Sequence, residues 1–273
     1  MTDFFDAERL TFAAGELGGK RTTIGKTVFG REIPCVFLGG EGPRILLVAG
    51  HHAREHLSSE CLFRALRAFP PSCCRVAAVL SANPDGAELC IRGACSAPRA
   101  ARPALYGMNG GADFTLWKAN GRGVDLNVNF PARFGEGRGN VLRPGPQGCI
   151  GAYPFSEPEN LALLSLLLNF RPDALVTLHT KGEVLYWNFG QRRSVLRRDR
   201  RIARALGERL GFAPAEAKSS TGGLKDFAVQ YLGIPAFTIE LGPDELPHPL
   251  PYSLAEGIAE KLAGLPDFLA GEL

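Results

Sequence analysis

His51-His52-Ala53-Arg54-Glu55-His56 directly follows the apolar run RILLVAG (44–50). Imidazoles and carboxylates packed this densely can move protons or hold a metal ion. Two further apolar runs end on reactive residues: ALVTL runs into His179, and AFTI runs into Glu240. Ligands of open α/β sheets gather beyond the carboxyl ends of strands. Three such ends carrying suitable side chains therefore point to one shared site.

Zinc sites in hydrolases commonly use two histidines and a carboxylate, leaving one position open for water. His52 and Glu55 are three residues apart, a spacing that a strand-to-helix turn can bring to one point. His179, far along the chain, is the third candidate ligand. The expected cofactor is one Zn2+ per chain. His51 and His56 read as ordinary polar residues, and HHAREH lacks the HExxH order of helical zinc peptidases.

Glu240 reads either as a structural cap or as a general base. As a base it would take a proton from a zinc-activated water and pass it to the leaving amine. The oxyanion that develops needs a second positive charge. Lys118 and Arg54 are the candidates, each of which could equally be plain surface charge.

These residues need strands and helices to position them. TTIGKTVFGREIPCVFLGG (22–40) reads as two strands around a turn at Phe29-Gly30, and residues 44–50 as a strand buried on both faces. A helix is expected from Arg54 to Ala68, stopped by Pro70-Pro71. CRVAAVLSANPDG (74–86) gives a strand and a turn, and residues 87–156, rich in Gly, Pro, Arg and Asn, read as long functional loops. Ser156 is the expected N-cap of a helix over SEPENLALLSLLLNF.

Further buried strands are expected over 173–182, which is followed by EVLYWNF, and over 234–242. Helices are expected over 194–210, within GGLKDFAVQYLG, and as one closing segment over 252–270. Strands alternating with helices predict an α/β fold: a three-layer α/β/α sandwich around a mixed, mostly parallel twisted sheet, in a single domain spanning 1–273.

The bulk composition is that of an ordinary globular protein with a substantial core. Of 273 residues, 45% are hydrophobic and 22% charged, and the net charge is +3. That balance gives no reason to expect nucleic acid or an anionic membrane as partner. The arginines of RRDRR (197–201) read as a solvated helix face, and LALLSLLLNF (161–170) suits a buried helix, not a membrane span. MTDFFDAERLTF lacks the pattern of a secretory signal, so the expected location is cytoplasmic. Seven cysteines without paired CxxC motifs read as reduced thiols.

At GHHARE, SANPDG, TLHTKG and TIELG the sequence resembles the zinc carboxypeptidase family of metallopeptidases. The resemblance spans nearly the whole chain. It implies His52, Glu55 and His179 as zinc ligands and Glu240 as the catalytic glutamate. Within WKANGRGVDLNVNFP (117–131) it implies that Asp125 orients a zinc histidine and that Asn127 belongs to the pocket for the substrate's terminal carboxylate. Lys118 stands where digestive members carry a carbonyl-polarising arginine.

Two departures bear on substrate. Val128 replaces the arginine that normally follows the matching asparagine, removing a bidentate carboxylate partner. The expected tyrosine before Gly222-Gly223 is missing from AEAKSSTGG; Lys218 lies there without an assigned role. WKAN, GAYPFSEPE and GEVLYWNFGQ resemble bacterial members that cut between γ-D-glutamate and meso-diaminopimelate in peptidoglycan peptides. The expected partner is thus a peptide, a muropeptide in particular. Glu183 could meet the diaminopimelate ammonium, and Arg138 or Arg143 a carboxylate. The alternatives are an ordinary metallocarboxypeptidase, an aspartoacylase-like zinc deacylase, or a non-catalytic protein that binds cell-wall peptides.

Overall fold

The computed structural model describes residues 4–217 and 219–273. Lys218 lies outside them. The strands are β1 (Lys20–Lys26), β2 (Glu32–Gly39), β3 (Arg44–Ala49), β4 (Arg75–Val79), β5 (Ala174–Thr180), β6 (Val184–Asn188), β7 (Ala213–Glu216) and β8 (Ala236–Leu241). They form one eight-stranded sheet in the order β1-β2-β4-β3-β5-β8-β6-β7. The four central strands β4, β3, β5 and β8 run parallel, while β2 and β6 flank them antiparallel.

The central strands are aliphatic on both faces because both faces are covered. Ile45, Leu47, Val176, Leu178, Phe237 and Ile239 face one layer of helices: α1 (Ala7–Glu16), α2 (Leu57–Ala68) and others described below. The alternate residues Leu46, Val48, Leu175 and Ala236 face the opposite core. Period-two alternation thus divides one strand's side chains between two cores. The architecture is the three-layer α/β/α sandwich expected.

The stretch 87–156 departs from its expected form. It contains α3 (Pro84–Arg92), which begins within the expected turn, and α4 (Arg102–Asn109), besides irregular chain. Asn83 caps α3 by accepting from Gly86 N at 2.9 Å, with Pro84 in the first turn. A separate apolar cluster of Leu89, Leu105, Phe114 and Trp117 anchors this region. Glycine and proline concealed the helices by diluting the periodicity that marks one.

α5 (Pro158–Phe170) supplies Leu163, Leu166, Leu167 and Phe170 to the second core. Its N-cap position is Glu157, not Ser156. The Ser156 hydroxyl donates to Glu157 Oε1 at 2.8 Å and accepts from Asn129 Nδ2 at 3.0 Å, so it is engaged before the helix begins.

α6 (Arg193–Leu210) buries Ile202, Leu206 and Leu210 and presents its arginines outward. α7 (Leu224–Phe227) opens at Gly223 and continues into a π turn. The closing segment is two helices rather than one: α8 (Ala255–Leu262) and α9 (Leu265–Glu272), separated at Gly264 with φ 64°. Glycine adopts that left-handed conformation without a side-chain penalty. Among the described residues no helix is long and apolar enough to cross a membrane. All seven cysteines are unpaired in the structure.

Candidate metal and catalytic site

The site sits at the carboxyl ends of β3, β5 and β8. The chain leaves β3 at Gly50, where φ is 64° and a Cβ would lie 2.7 Å from Ser59 Oγ and 3.1 Å from Ser81 Cα. Only glycine fits that exit. The exit turns His52-Ala53-Arg54-Glu55 into a short 3-10 turn (Ala53–Glu55) before α2. Both the His52 and Glu55 side chains are buried there. Parallel pairing of β5 with β8 sets His179 opposite Glu240 in register, so both side chains leave the sheet at one level.

His52 Nδ1 lies 2.8 Å from Glu55 Oε1, and His179 Nδ1 lies 3.0 Å from Glu55 Oε2. The two Nδ1 atoms are 3.1 Å apart. Thr180 N also donates to Glu55 Oε2 at 3.2 Å. One donor atom from each of His52, Glu55 and His179 lies within 4.8 Å of the others, the spacing of a candidate metal triad.

The donor set suits zinc. A tetrahedral ion with bonds near 2.0–2.1 Å holds its ligands roughly 3.3 Å apart, close to the observed separation of the two ring nitrogens. Burial opposes ionisation of Glu55, but the adjacent imidazoles outweigh it and hold its carboxyl well below the usual range. Burial disfavours the His52 imidazolium, yet Glu55 raises its pKa overall; His179 is lowered, mainly by burial.

Asp125, fully buried, stands behind this triad. Its Oδ1 is 3.3 Å from His52 Nε2, inside ion-pair distance though poorly aligned for a hydrogen bond. Its Oδ2 is 2.9 Å from Lys118 Nζ and accepts from Gly148 N at 3.2 Å. Burial pushes against ionisation of Asp125, but Lys118 and His52 hold its pKa well below the usual range. Burial likewise works against the Lys118 ammonium, yet Asp125 and Glu55 raise its pKa. A carboxylate in this position fixes a ligand imidazole's orientation and strengthens it as a donor.

Glu240 is partly open to solvent, in a cavity of about 270 Å³ that Asn127, Tyr186, Glu216, Lys225 and Asp226 also line. Burial and the nearby Glu55 charge push its pKa up to about 8. A divalent cation among the donors would oppose the Glu55 charge and pull Glu240 back down. Arg54 is partly buried, its Nη1 donating to Leu116 O at 3.4 Å and Gln147 Oε1 at 3.3 Å. Asn127 Oδ1 accepts from Leu224 N at 3.3 Å, which ties the loop of Asp125 to α7.

Three expected substrate contacts are not among the residues that line this cavity. Glu183 pairs with Lys261 Nζ on α8 at 2.8 Å and does not line the cavity beside Glu240. Arg143 lines a separate cleft with Met108 and Gln147. The Arg138 side chain is exposed, although its backbone N–H donates to Ser219 O at 2.9 Å. Sequence reading missed Glu216, Lys225 and Asp226. The adjacent opposite charges in GGLKDF were the one available signal, and a short helix's solvated face carries such a pair just as readily.

A mixed sheet with this donor set at its strand ends defines a metal-dependent hydrolase of the α/β class. The zinc carboxypeptidase profile matches residues 20–256, and the chain belongs to that family of zinc metallopeptidases. It is 30% identical over 285 aligned residues to gamma-D-glutamyl-L-diamino acid endopeptidase 1 of Lysinibacillus sphaericus, covering 97% of this chain and 70% of that protein. Over 141 residues it is 33% identical to murein peptide amidase A of Escherichia coli K12, covering 49% of this chain and 48% of the amidase. The crystal structure of the murein-tripeptide amidase of Escherichia coli O157 shares the fold, with a TM-score of 0.62 and 21% identity over 92% of this chain and 94% of that one.

Proposed function

We propose that the chain hydrolyses the amide between γ-D-glutamate and a diamino acid in peptidoglycan-derived peptides. The observation that carries this reading is Val128, buried beside Asn127 where the family's arginine would clamp a free terminal carboxylate. Among the described residues lining the cavity beside Glu240 there is no arginine to offer a carboxylate a bidentate fork. The relatives named for γ-D-glutamyl-diamino acid and murein peptides support the same substrate class.

In this reading His52, Glu55 and His179 hold zinc, which when bound supplies Lewis acidity towards water and a carbonyl oxygen. Glu240 accepts the proton of the attacking water and delivers it to the leaving amine. The Lys118 ammonium, held by Asp125, adds positive charge where the carbonyl oxygen becomes anionic. Asp125 keeps the His52 ring in place, and Arg54 lines the rim on which the acyl side rests. Asn127 orients the departing residue. Residues 1–273 are read as one peptidase domain.

The test pairs L-Ala-γ-D-Glu-meso-diaminopimelate with a peptide ending in a free aromatic residue, each incubated with zinc-loaded protein. Release of diaminopimelate from the first is expected. Release of the aromatic residue alone would replace this reading with an ordinary carboxypeptidase.

A further inference from the structure

The cavity beside Glu240 holds a lysine that the hydrolytic chemistry does not use. Lys225 is 5% exposed and Asp226 is 4% exposed, yet both line the cavity. Lys225 Nζ lies 2.5 Å from Asp226 Oδ1, donates to Asn188 O at 3.2 Å, and sits 5.2 Å from the Phe189 ring centre. An ammonium has three donors, and these two polar contacts occupy at most two of them. Asp226 Oδ2 in turn accepts from Gly223 N at 3.1 Å, which fixes the pair at the start of α7.

Burying an ion pair costs several kcal/mol per charge before any attraction is counted, and apolar residues of similar size often stabilise a fold as well or better. Packing alone therefore gives no reason for this pair. Among the described residues, the charged groups lining the cavity besides Lys225 are the carboxylates of Glu216, Asp226 and Glu240. Glu216 is exposed, 3.4 Å from Asn188 Nδ2, and Glu240 is partly exposed. Among the described residues lining the cavity, one cation set among carboxylates is complementary to a side chain that ends in both a carboxylate and an ammonium.

We propose that this cavity reads the distal end of the diamino acid. Lys225 pairs with its distal carboxylate and Glu216 with its distal ammonium. The chain thereby selects diaminopimelate over lysine, which offers the ammonium but no carboxylate. This inference rests on the substrate reading above and names Lys225 as the residue that sets specificity within it.

The test measures binding by calorimetry to Glu240→Gln protein. Four tripeptides L-Ala-γ-D-Glu-X are compared: X is meso-diaminopimelate, lysine, diaminopimelate amidated at the distal carboxylate, or diaminopimelate amidated at the α-carboxylate. The unmodified and α-amidated diaminopimelate peptides are expected to bind at least about tenfold tighter than the other two. Adding Lys225→Met should erase that advantage and leave the lysine peptide nearly unchanged. Because that variant strands Asp226 without its cation, Lys225→Met with Asp226→Asn is run beside it, and thermal unfolding checks that each protein is folded.

Equal binding of all four peptides overturns the proposal, as does equal weakening of all on replacing Lys225. A penalty confined to α-amidation overturns it too, by assigning Lys225 to the main-chain carboxylate. Hydrolysis by wild-type protein separates the two levels. Cleavage of the diaminopimelate and lysine peptides at equal rates leaves the bond assignment intact and removes the specificity. Cleavage of neither removes both.

Discussion

Two carboxylates at opposite ends of the sheet are treated differently. At the amino ends, Asp267 in the first turn of α9 accepts from Ser72 N, Ser72 Oγ, Cys73 N and Cys74 Sγ, at 2.6–3.2 Å. Its oxygens are satisfied by neutral donors, and the contact fastens the last helix to the chain entering β4. At the carboxyl ends, Glu55 faces two imidazoles whose outer nitrogens, His52 Nε2 and His179 Nε2, are buried without hydrogen bonds. His51 beside them is buried with neither ring nitrogen paired, its ring stacked on that of His179 at 5.4 Å. Polar atoms left unsatisfied cost stability. The first end is arranged for cohesion, and the second gives up some cohesion to hold a concentrated donor set.

That contrast can be broken at either end. The largest effect is expected at the donor set: His179→Ala should reduce bound zinc from about one per chain to near none, read by metal analysis after dialysis. Glu240→Gln should keep the metal and the fold while lowering turnover by about a thousandfold. A variant that retains turnover would remove Glu240 as the proton carrier. Asp125→Asn should weaken zinc affinity by about ten- to a hundredfold, measured by competition with a chelator. It should also leave Lys118 without its counter-charge.

The smallest effect is expected at the cohesive end. Asp267→Asn should cost about 1 kcal/mol in urea unfolding at pH 7, a modest figure because the carboxylate is partly exposed. Its folded pKa is pulled down from 3.8 to about 2 by the hydrogen bonds from Ser72, Cys73 and Cys74, with burial opposing them. A depressed carboxylate contributes its stability above the unfolded value and loses it as pH falls through the folded one. The gap between wild type and variant should therefore be full at pH 7 and shrink as pH drops from about 4 towards about 2. A gap that does not vary with pH would mean that Asp267 acts through shape alone.

The same contrast marks what was legible in the sequence. Strands β3, β5 and β8 could be read because burial on both faces demands unbroken aliphatic runs, and their reactive terminal residues stood out against those runs. The α/β/α layering followed from the alternation of such runs with helical segments. What could not be read depends on contacts between distant segments. Helices α3 and α4 fold onto Leu89, Leu105, Phe114 and Trp117, whose association is tertiary. The closing helix breaks at Gly264, one glycine among 33. The cavity's Glu216, Lys225 and Asp226 come from two separate segments near the β6–β7 edge, so proximity to Glu240 is the property that distinguishes them. The pairing of Glu183 with Lys261 on α8 is likewise a tertiary contact that its place beside β6 does not announce.

The most direct measurement is anomalous diffraction at the zinc edge from crystals of zinc-loaded protein. One peak per chain is expected, within about 2.0–2.2 Å of His52 Nδ1, His179 Nδ1 and a Glu55 oxygen. Zinc found only at cysteines or on the surface, with this triad bare, would contradict the account.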